Sequence, residues 1–89
     1  MNPIQVNYTD QELRILIEEY IAMQRSSFSF KGVCSYILYR AMEEGKTANN
    51  GIYESNQMAQ KDGERVSVIL DKIVAEGRIE KKDTIFIKR

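Results

Sequence analysis

Two segments of the chain carry apolar residues at helical spacing behind a clear capping signal. Thr9 and Glu12 form a capping-box pattern at the start of the first segment. The stripe that follows predicts an amphipathic helix ending near Arg25, with Leu13, Leu16, Ile17, Tyr20 and Ile21 on its buried side. A second helix is predicted from about residue 30 to residue 44, with Gly45 as its stop. Its apolar arc is wide and comprises Val33, Cys34, Ile37, Leu38, Ala41 and Met42.

Helical spacing returns between residues 53 and 76, but one acidic residue interrupts it. The stripe of Val66, Leu70, Ile73 and Val74, projected backwards, places Asp62 on the buried side. An unpaired buried carboxylate is costly, which favours a break. The pattern then predicts a short helix near residues 53–61 and a second helix capped by Asp62. The alternative is one continuous helix in which Gly63 packs closely against a neighbour.

Three short segments have the patterns of β-strands. Residues 26–30 alternate serine and phenylalanine, which predicts a strand with one buried face, and Ser29 is suited to cap the second helix. After Gly77, residues 78–81 and 84–88 are strand-like and flank Lys82-Asp83, as in a tight hairpin. Such a hairpin needs other elements to cover it. We expect this packing to involve Phe28, Ile79, Ile85 and Ile87.

The stretch RVSVILDKIVAEGRI at residues 65–79 combines a periodic helix, an acidic–glycine stop and an apolar residue that opens a strand. In this stretch, and in the order helix, strand, helix, helix, hairpin, the chain resembles the winged-helix variant of the helix-turn-helix superfamily. The resemblance implies a single α+β, mostly helical domain over residues 1–89, with three or four helices and a small antiparallel β-hairpin as the wing. It also implies DNA binding, with the last helix in the major groove. The loop at residues 45–54 is longer than is usual for the superfamily.

Candidate DNA contacts lie on the last helix and on the hairpin. Arg65 is suited to contact guanine and Val68 a thymine methyl group. The full set on the solvent face and flank of this helix is Lys61, Arg65, Ser67, Val68 and Lys72. The hairpin candidates are Arg78, Lys81, Lys82, Lys88 and Arg89. The alternative for the helix is an ordinary solvated face, because Asp62, Glu64 and Asp71 would repel phosphates.

Charge is balanced over the chain but not along it. Thirteen basic and thirteen acidic residues cancel, so no overall attraction to nucleic acid follows. Residues 78–89 hold five basic and two acidic side chains, a net charge of +3. This local positive charge would attract the hairpin to DNA phosphates. The alternative is that these lysines protect a sheet edge from aggregation.

The residue inventory argues against catalysis. The chain has no histidine and one cysteine, Cys34, so it lacks the usual activators of a nucleophile and the usual ligands of zinc. We therefore predict no enzyme activity, no cofactor and no small-molecule substrate, with Cys34 as a buried structural thiol. No apolar run is long enough to span a membrane, and no signal peptide is visible. A single cysteine is typical of a reducing compartment, so we predict a cytoplasmic protein.

Together these observations predict a small DNA-binding protein, a transcriptional regulator that acts by occupying duplex DNA. One short helix offers few base contacts, so a homodimer is expected if binding is specific. The candidate interface residues are Ile15 and Ala22 on the back of the first helix, with Tyr36 and Tyr39 on the second. The alternative function is a winged-helix module that binds a protein partner and no DNA. Zero net charge and the acidic residues of the last helix favour this alternative.

Overall fold

A computed structural model describes residues 3–48 and 57–89 of the chain. These residues form three helices and one three-stranded antiparallel sheet. In chain order the elements are α1 (Asp10–Met23), β1 (Ser27–Ser29), α2 (Phe30–Glu44), α3 (Gln60–Ala75), β2 (Ile79–Lys82) and β3 (Ile85–Lys88). The predicted α+β class and the predicted order of elements are confirmed over this part of the chain.

The helix ends follow the local signals. The Thr9 hydroxyl accepts a hydrogen bond from the Glu12 backbone N–H at 3.1 Å, and the Glu12 carboxylate accepts from the Thr9 N–H at 2.8 Å. Ser29 caps α2 by accepting from the Gly32 N–H at 3.0 Å. Gly45 ends α2 at φ 68°, a left-handed conformation that glycine adopts without steric cost. The predicted caps of α1 and α2 are confirmed, although α1 ends two residues before Arg25.

The start of α3 differs from both predictions for residues 53–76. The helix begins at Gln60, its cap residue Ala59 supplies no side-chain hydrogen bond, and Asp62 lies inside the first turn. Residues 57–59 are not helical, which excludes the continuous helix, and residues 53–56 lie outside the described part. A Cβ atom on Gly63 would meet Phe30 at 3.9 Å, an ordinary contact. The predicted close packing of Gly63 is therefore wrong.

The N-terminal arm, which we define as residues 3–9, explains why Asp62 can be buried. The Asp62 carboxylate is 6% exposed and accepts from the Val6 backbone N–H and from Arg65, each at 3.0 Å. The arm also forms a parallel bridge from Ile4 to Met58 and an antiparallel bridge from Val6 to Thr47. It therefore joins the segment after α2 to the segment before α3.

The three helices bury most residues of the predicted stripes, whereas Tyr20 and Val74 are only partly buried. Ile37 of α2 and Leu70 of α3 are fully buried, while Met42 is exposed and Cys34 is half-buried. The arm adds Tyr8 and two aliphatic residues that the sequence patterns did not assign to the core. The buried apolar residues of the arm and helices are Ile4, Val6, Tyr8, Leu13, Leu16, Ile17, Ile21, Val33, Ile37, Leu38, Ala41, Val66, Ile69, Leu70 and Ile73.

Strand β3 lies at the centre of the sheet, between β1 and β2. Phe86 of β3 pairs with Phe28, their rings stack with centroids 5.3 Å apart, and both side chains are buried. Since side chains alternate along a strand, the neighbours of Phe86 point to the opposite face. Ile85 is accordingly 40% exposed and Ile87 half-buried, so the prediction that both pack on the helices is wrong. Ile79 is buried as predicted.

The hairpin turn is shifted by one residue from its predicted position. Lys82 pairs with Ile85, so the connecting residues are Asp83 and Thr84 rather than Lys82 and Asp83. Asp83 has φ 56°, a left-handed conformation that aspartate tolerates better than most residues. Lys82 thus belongs to the edge strand β2. None of the helices described here has the length and apolar content needed to cross a membrane.

Candidate nucleic-acid interface

The exposed face of α3 carries cations and anions side by side. Lys61 and Lys72 are both exposed, and their spacing of eleven residues places them on one face of the helix, roughly 16 Å apart. Val68 is 53% exposed on the same side, and Ser67 is partly exposed on its flank. Glu64 and Asp71 are exposed as well. The helix therefore offers candidate DNA contacts without a net positive charge.

Arg65 lies on the same side of α3 by its spacing, but its guanidinium is held by residues outside this face. Its Nε donates to Asp10 Oδ1 at 2.8 Å, its Nη1 donates to Asp62 Oδ1 at 3.0 Å, and its Nη2 donates to the Tyr8 carbonyl. Each of its three nitrogens is thus engaged with α1, the N-terminal arm or the first turn of α3. Arg65 is therefore partly buried and hydrogen-bonded rather than freely exposed, and a contact with guanine would require these bonds to break.

Three of the five basic residues in the C-terminal segment are also engaged. Arg78 forms an ion pair with Glu18, and the hydrogen bonds from Arg78 hold the pKa of Glu18 below its usual value. Lys88 Nζ donates to the Gln24 carbonyl at 2.9 Å. Arg89 lies 3.7 Å from a carboxylate oxygen of Glu80. The first two contacts tie the C-terminal segment to α1 and its end, and all three reduce the charge that the segment presents to a ligand.

Lys81 and Lys82 differ from these neighbours. Both are exposed at the end of β2, next to the Asp83–Thr84 turn, and neither forms an ion pair with any residue in the described ranges. Lysine carries a compact charge on a flexible stem and needs no fixed partner geometry to contact a phosphate. The tip of the hairpin therefore presents two neighbouring lysines whose ammonium groups form no ion pair within the described residues.

Arginines and lysines differ in their partners throughout the described part of the chain. Every arginine except Arg25 pairs with a carboxylate, whereas six of the seven lysines have neither an ion pair nor a hydrogen bond from the ammonium group within residues 3–48 and 57–89. Lys88, the seventh, bonds only to a carbonyl. Arginine suits ion pairs because its planar fork binds carboxylates in fixed geometry. Five of the six arginines are thus engaged with carboxylates of the fold, and the lysines are the cations available to a polyanion.

The candidate interface residues of α1 and α2 separate into two groups. Ile15 is 54% exposed, Tyr39 is 58% exposed, and Ala22 is exposed too, as predicted. Tyr36 is half-buried, its ring centroid lies 5.4 Å from that of Tyr20, and its hydroxyl accepts from Arg40 at 2.8 Å. Tyr36 is therefore part of the contact between the two helices and not of an open surface.

An open groove of about 690 Å³ separates α2 from the start of α3. Phe30, Leu38 and Met58 contribute apolar surface, and Lys31 and Glu64 are among its polar residues. Cys34 also lines this groove, so it is not the fully buried thiol that was expected. Burial raises the pKa of Cys34 to about 11, which keeps the thiol protonated at neutral pH.

Comparison of the chain with models of protein families, with curated proteins and with solved structures gave no match. Within the described residues, no group of three or more potential metal ligands is close enough to hold an ion. What the geometry offers is a set of lysines on α3 and the hairpin, an acidic pair beside them on α3, and a groove between α2 and the start of α3.

Proposed function

We propose that this protein is a winged-helix domain that binds duplex DNA and regulates transcription by occupying its site. Support comes from the element order and from the sheet order β1-β3-β2, in which the hairpin follows α3 after a short connection. The element order and the hairpin after the last helix are what the sequence resemblance implies. In the proposal α3 faces the duplex, and the β2–β3 hairpin is the wing.

The observation that carries the proposal is the pair of unengaged lysines, Lys81 and Lys82, at the tip of the hairpin. Contacts with phosphates dominate the affinity of most proteins for duplex DNA. Lys61 and Lys72 on α3 add further cations. Arg78, Lys88 and Arg89, which the sequence also suggested, have structural partners and are assigned a secondary role.

A salt titration tests this proposal. Fluorescence anisotropy would measure the binding of a labelled duplex of mixed sequence between 50 and 200 mM salt, a range in which phosphate contacts change affinity strongly. Replacing both Lys81 and Lys82 by alanine should weaken binding equally for all duplexes. It should also reduce the slope of log affinity against log salt by roughly one per lost contact.

The matched control removes the same charge elsewhere. Arg25 and Lys46 form no ion pair within the described ranges and lie outside α3 and the hairpin. Replacing both by alanine should leave the slope nearly unchanged. Equal losses in the two double variants would mean that the hairpin has no special role. Wild-type protein that shows no salt-dependent binding at 50 mM salt would overturn DNA binding altogether.

A protein-binding module is the second candidate function. It is favoured by the exposed apolar side chains of Ile15 and Tyr39 and by the groove between α2 and α3. Exposed apolar surface of this kind is common at protein interfaces. The absence of DNA binding in the salt titration, together with self-association through α1, would make this the preferred function.

A further inference from the structure

Three exposed side chains form the part of α3 that lies farthest from the core. An α-helix turns about 100° per residue, so Glu64, Val68 and Asp71 lie within about 60° of one another around the helix axis. The buried residues Val66 and Ile73 occupy the opposite side of the helix. We call the three exposed residues the central stripe of α3. In the proposed function, this stripe is the part of the helix that faces the floor of the major groove.

Both lysines of α3 lie to one side of the central stripe. Lys61 and Lys72 are exposed, and the helical turn places them within about 20° of each other, at the border of the stripe nearest to Val68. A helix in the major groove directs its centre toward base edges, and its borders face the phosphates of the groove walls. The lysines are therefore placed to contact phosphates, whereas the central stripe is placed to contact bases.

The two carboxylates of the central stripe have no ionic partner in the fold. Glu64 and Asp71 form no ion pair within residues 3–48 and 57–89, although both lysines lie on the same helix. The hydrogen bond that Glu64 accepts from the Gln60 amide is long, at 3.4 Å. Both carboxylates are thus open to a ligand.

A carboxylate in the major groove discriminates between bases because most polar groups there are acceptors. Guanine presents N7 and O6, thymine presents O4, and adenine presents N7 next to its amino group. Cytosine presents the N4 amino donor, to which glutamate and aspartate bind. A carboxylate opposite cytosine gains a hydrogen bond, whereas opposite an acceptor it is repelled and desolvated without compensation. A penalty against the wrong bases of this kind gives specificity.

We infer that Glu64 and Asp71 are specificity-determining residues of α3, and that each selects cytosine in duplex DNA by accepting a hydrogen bond from its N4 amino group. This inference rests on the proposed function. The two residues are seven positions apart, which is about 10.5 Å along the helix axis. Successive bases of a strand are about 3.4 Å apart. For a helix lying along the groove, the preferred duplex therefore carries two cytosines about three base pairs apart.

Selection from a library of random duplexes at 50 mM salt tests this inference. Sequencing of the bound fraction should give an enriched motif that contains two cytosines about three base pairs apart. Replacing either cytosine pair in the selected duplex should weaken binding by roughly 5- to 100-fold, the range expected for the loss of one base contact.

Isosteric variants show which residue contacts which position. Glutamine and asparagine bind adenine, so Glu64→Gln should replace cytosine by adenine at one position of the motif, and Asp71→Asn should do so at the other. The measured quantity is the ratio of affinities for the cytosine and adenine duplexes, which a uniform change in affinity does not alter. Glu43→Gln is the matched control, because Glu43 is exposed on α2, away from α3 and the hairpin. This control should keep the preference for both cytosines.

The possible failures are distinguishable. Wild-type binding without an enriched motif, or with a motif that lacks these cytosines, would overturn the inference and leave the proposed function standing. A preference for both cytosines that persists in either Glu64→Gln or Asp71→Asn would likewise overturn it. No binding by the wild type or by the Glu43→Gln control at 50 mM salt would overturn the proposed function itself.

Discussion

The buried carboxylate of Asp62 connects the N-terminal arm to α3, and its replacement by asparagine should destabilise the domain. Asp62 Oδ2 accepts from the Val6 N–H and Oδ1 accepts from Arg65. Asparagine has the same shape but only one acceptor oxygen, because its other terminal atom is a donor. One of the two donors must therefore lose its acceptor in the variant, whichever way the amide is oriented.

The structure sets the size of this effect. An unsatisfied buried donor such as the Val6 N–H costs about 1–3 kcal/mol, and the remaining bond loses its ionic contribution. Arg65 keeps its bonds to Asp10 and the Tyr8 carbonyl, and its side chain is 27% exposed, so it does not become an unpaired buried charge. We therefore expect Asp62→Asn to lower the free energy of unfolding by about 2–3 kcal/mol, less than the 3–5 kcal/mol typical of a broken buried ion pair.

Urea denaturation followed by far-ultraviolet circular dichroism measures this change. The matched control is Asp71→Asn, the same substitution on the same helix at an exposed position. The control should shift the free energy of unfolding by no more than about 0.5 kcal/mol. If the midpoint for Asp62→Asn falls as little as that of the control, with the same slope, the link between the arm and α3 contributes nothing to stability and the reasoning is refuted.

Two further predictions concern the core and the back of α1. Leu70→Ala should lower the free energy of unfolding by about 2–5 kcal/mol, because Leu70 is fully buried, whereas Val68→Ala on the exposed side of α3 should change little. Equal melting temperatures for these two variants would contradict the packing of α3. Ile15→Glu should leave stability unchanged, because Ile15 is 54% exposed, and should dissociate a homodimer formed through the back of α1, as measured by sedimentation velocity. A wild-type monomer at high protein concentration would exclude that dimer.

The caps of α1 and α2, most of the buried stripe residues and the order of elements could be predicted from the sequence. The capping box joins Thr9 to Glu12, three residues apart, and Ser29 caps α2 through the N–H of Gly32, also three residues away. Gly45 ends its helix through its own backbone conformation. Such features depend on neighbours within one helical turn. They therefore appear in the sequence as fixed spacings.

Tertiary contacts decided which face of β3 is buried. Ile85, Phe86 and Ile87 are all apolar, so alternation along the strand is compatible with either face being buried. Stacking of Phe86 on Phe28 selects one face and leaves Ile85 exposed. The partner strand lies almost sixty residues earlier in the chain. No local spacing could reveal that pairing.

The start of α3 and the set of available cations were likewise decided by distant partners. Asp62 is tolerated inside the helix because a backbone N–H from position 6 and the side chain of Arg65 satisfy its carboxylate. Arg78 is neutralised by Glu18, sixty residues before it, whereas Lys81 and Lys82 meet no carboxylate in the described chain. The sequence alone gives the number of charged residues but not which of them form ion pairs. Pairing depends on which side chains the fold brings within about 4 Å, and that distance decides which cations remain open to a ligand.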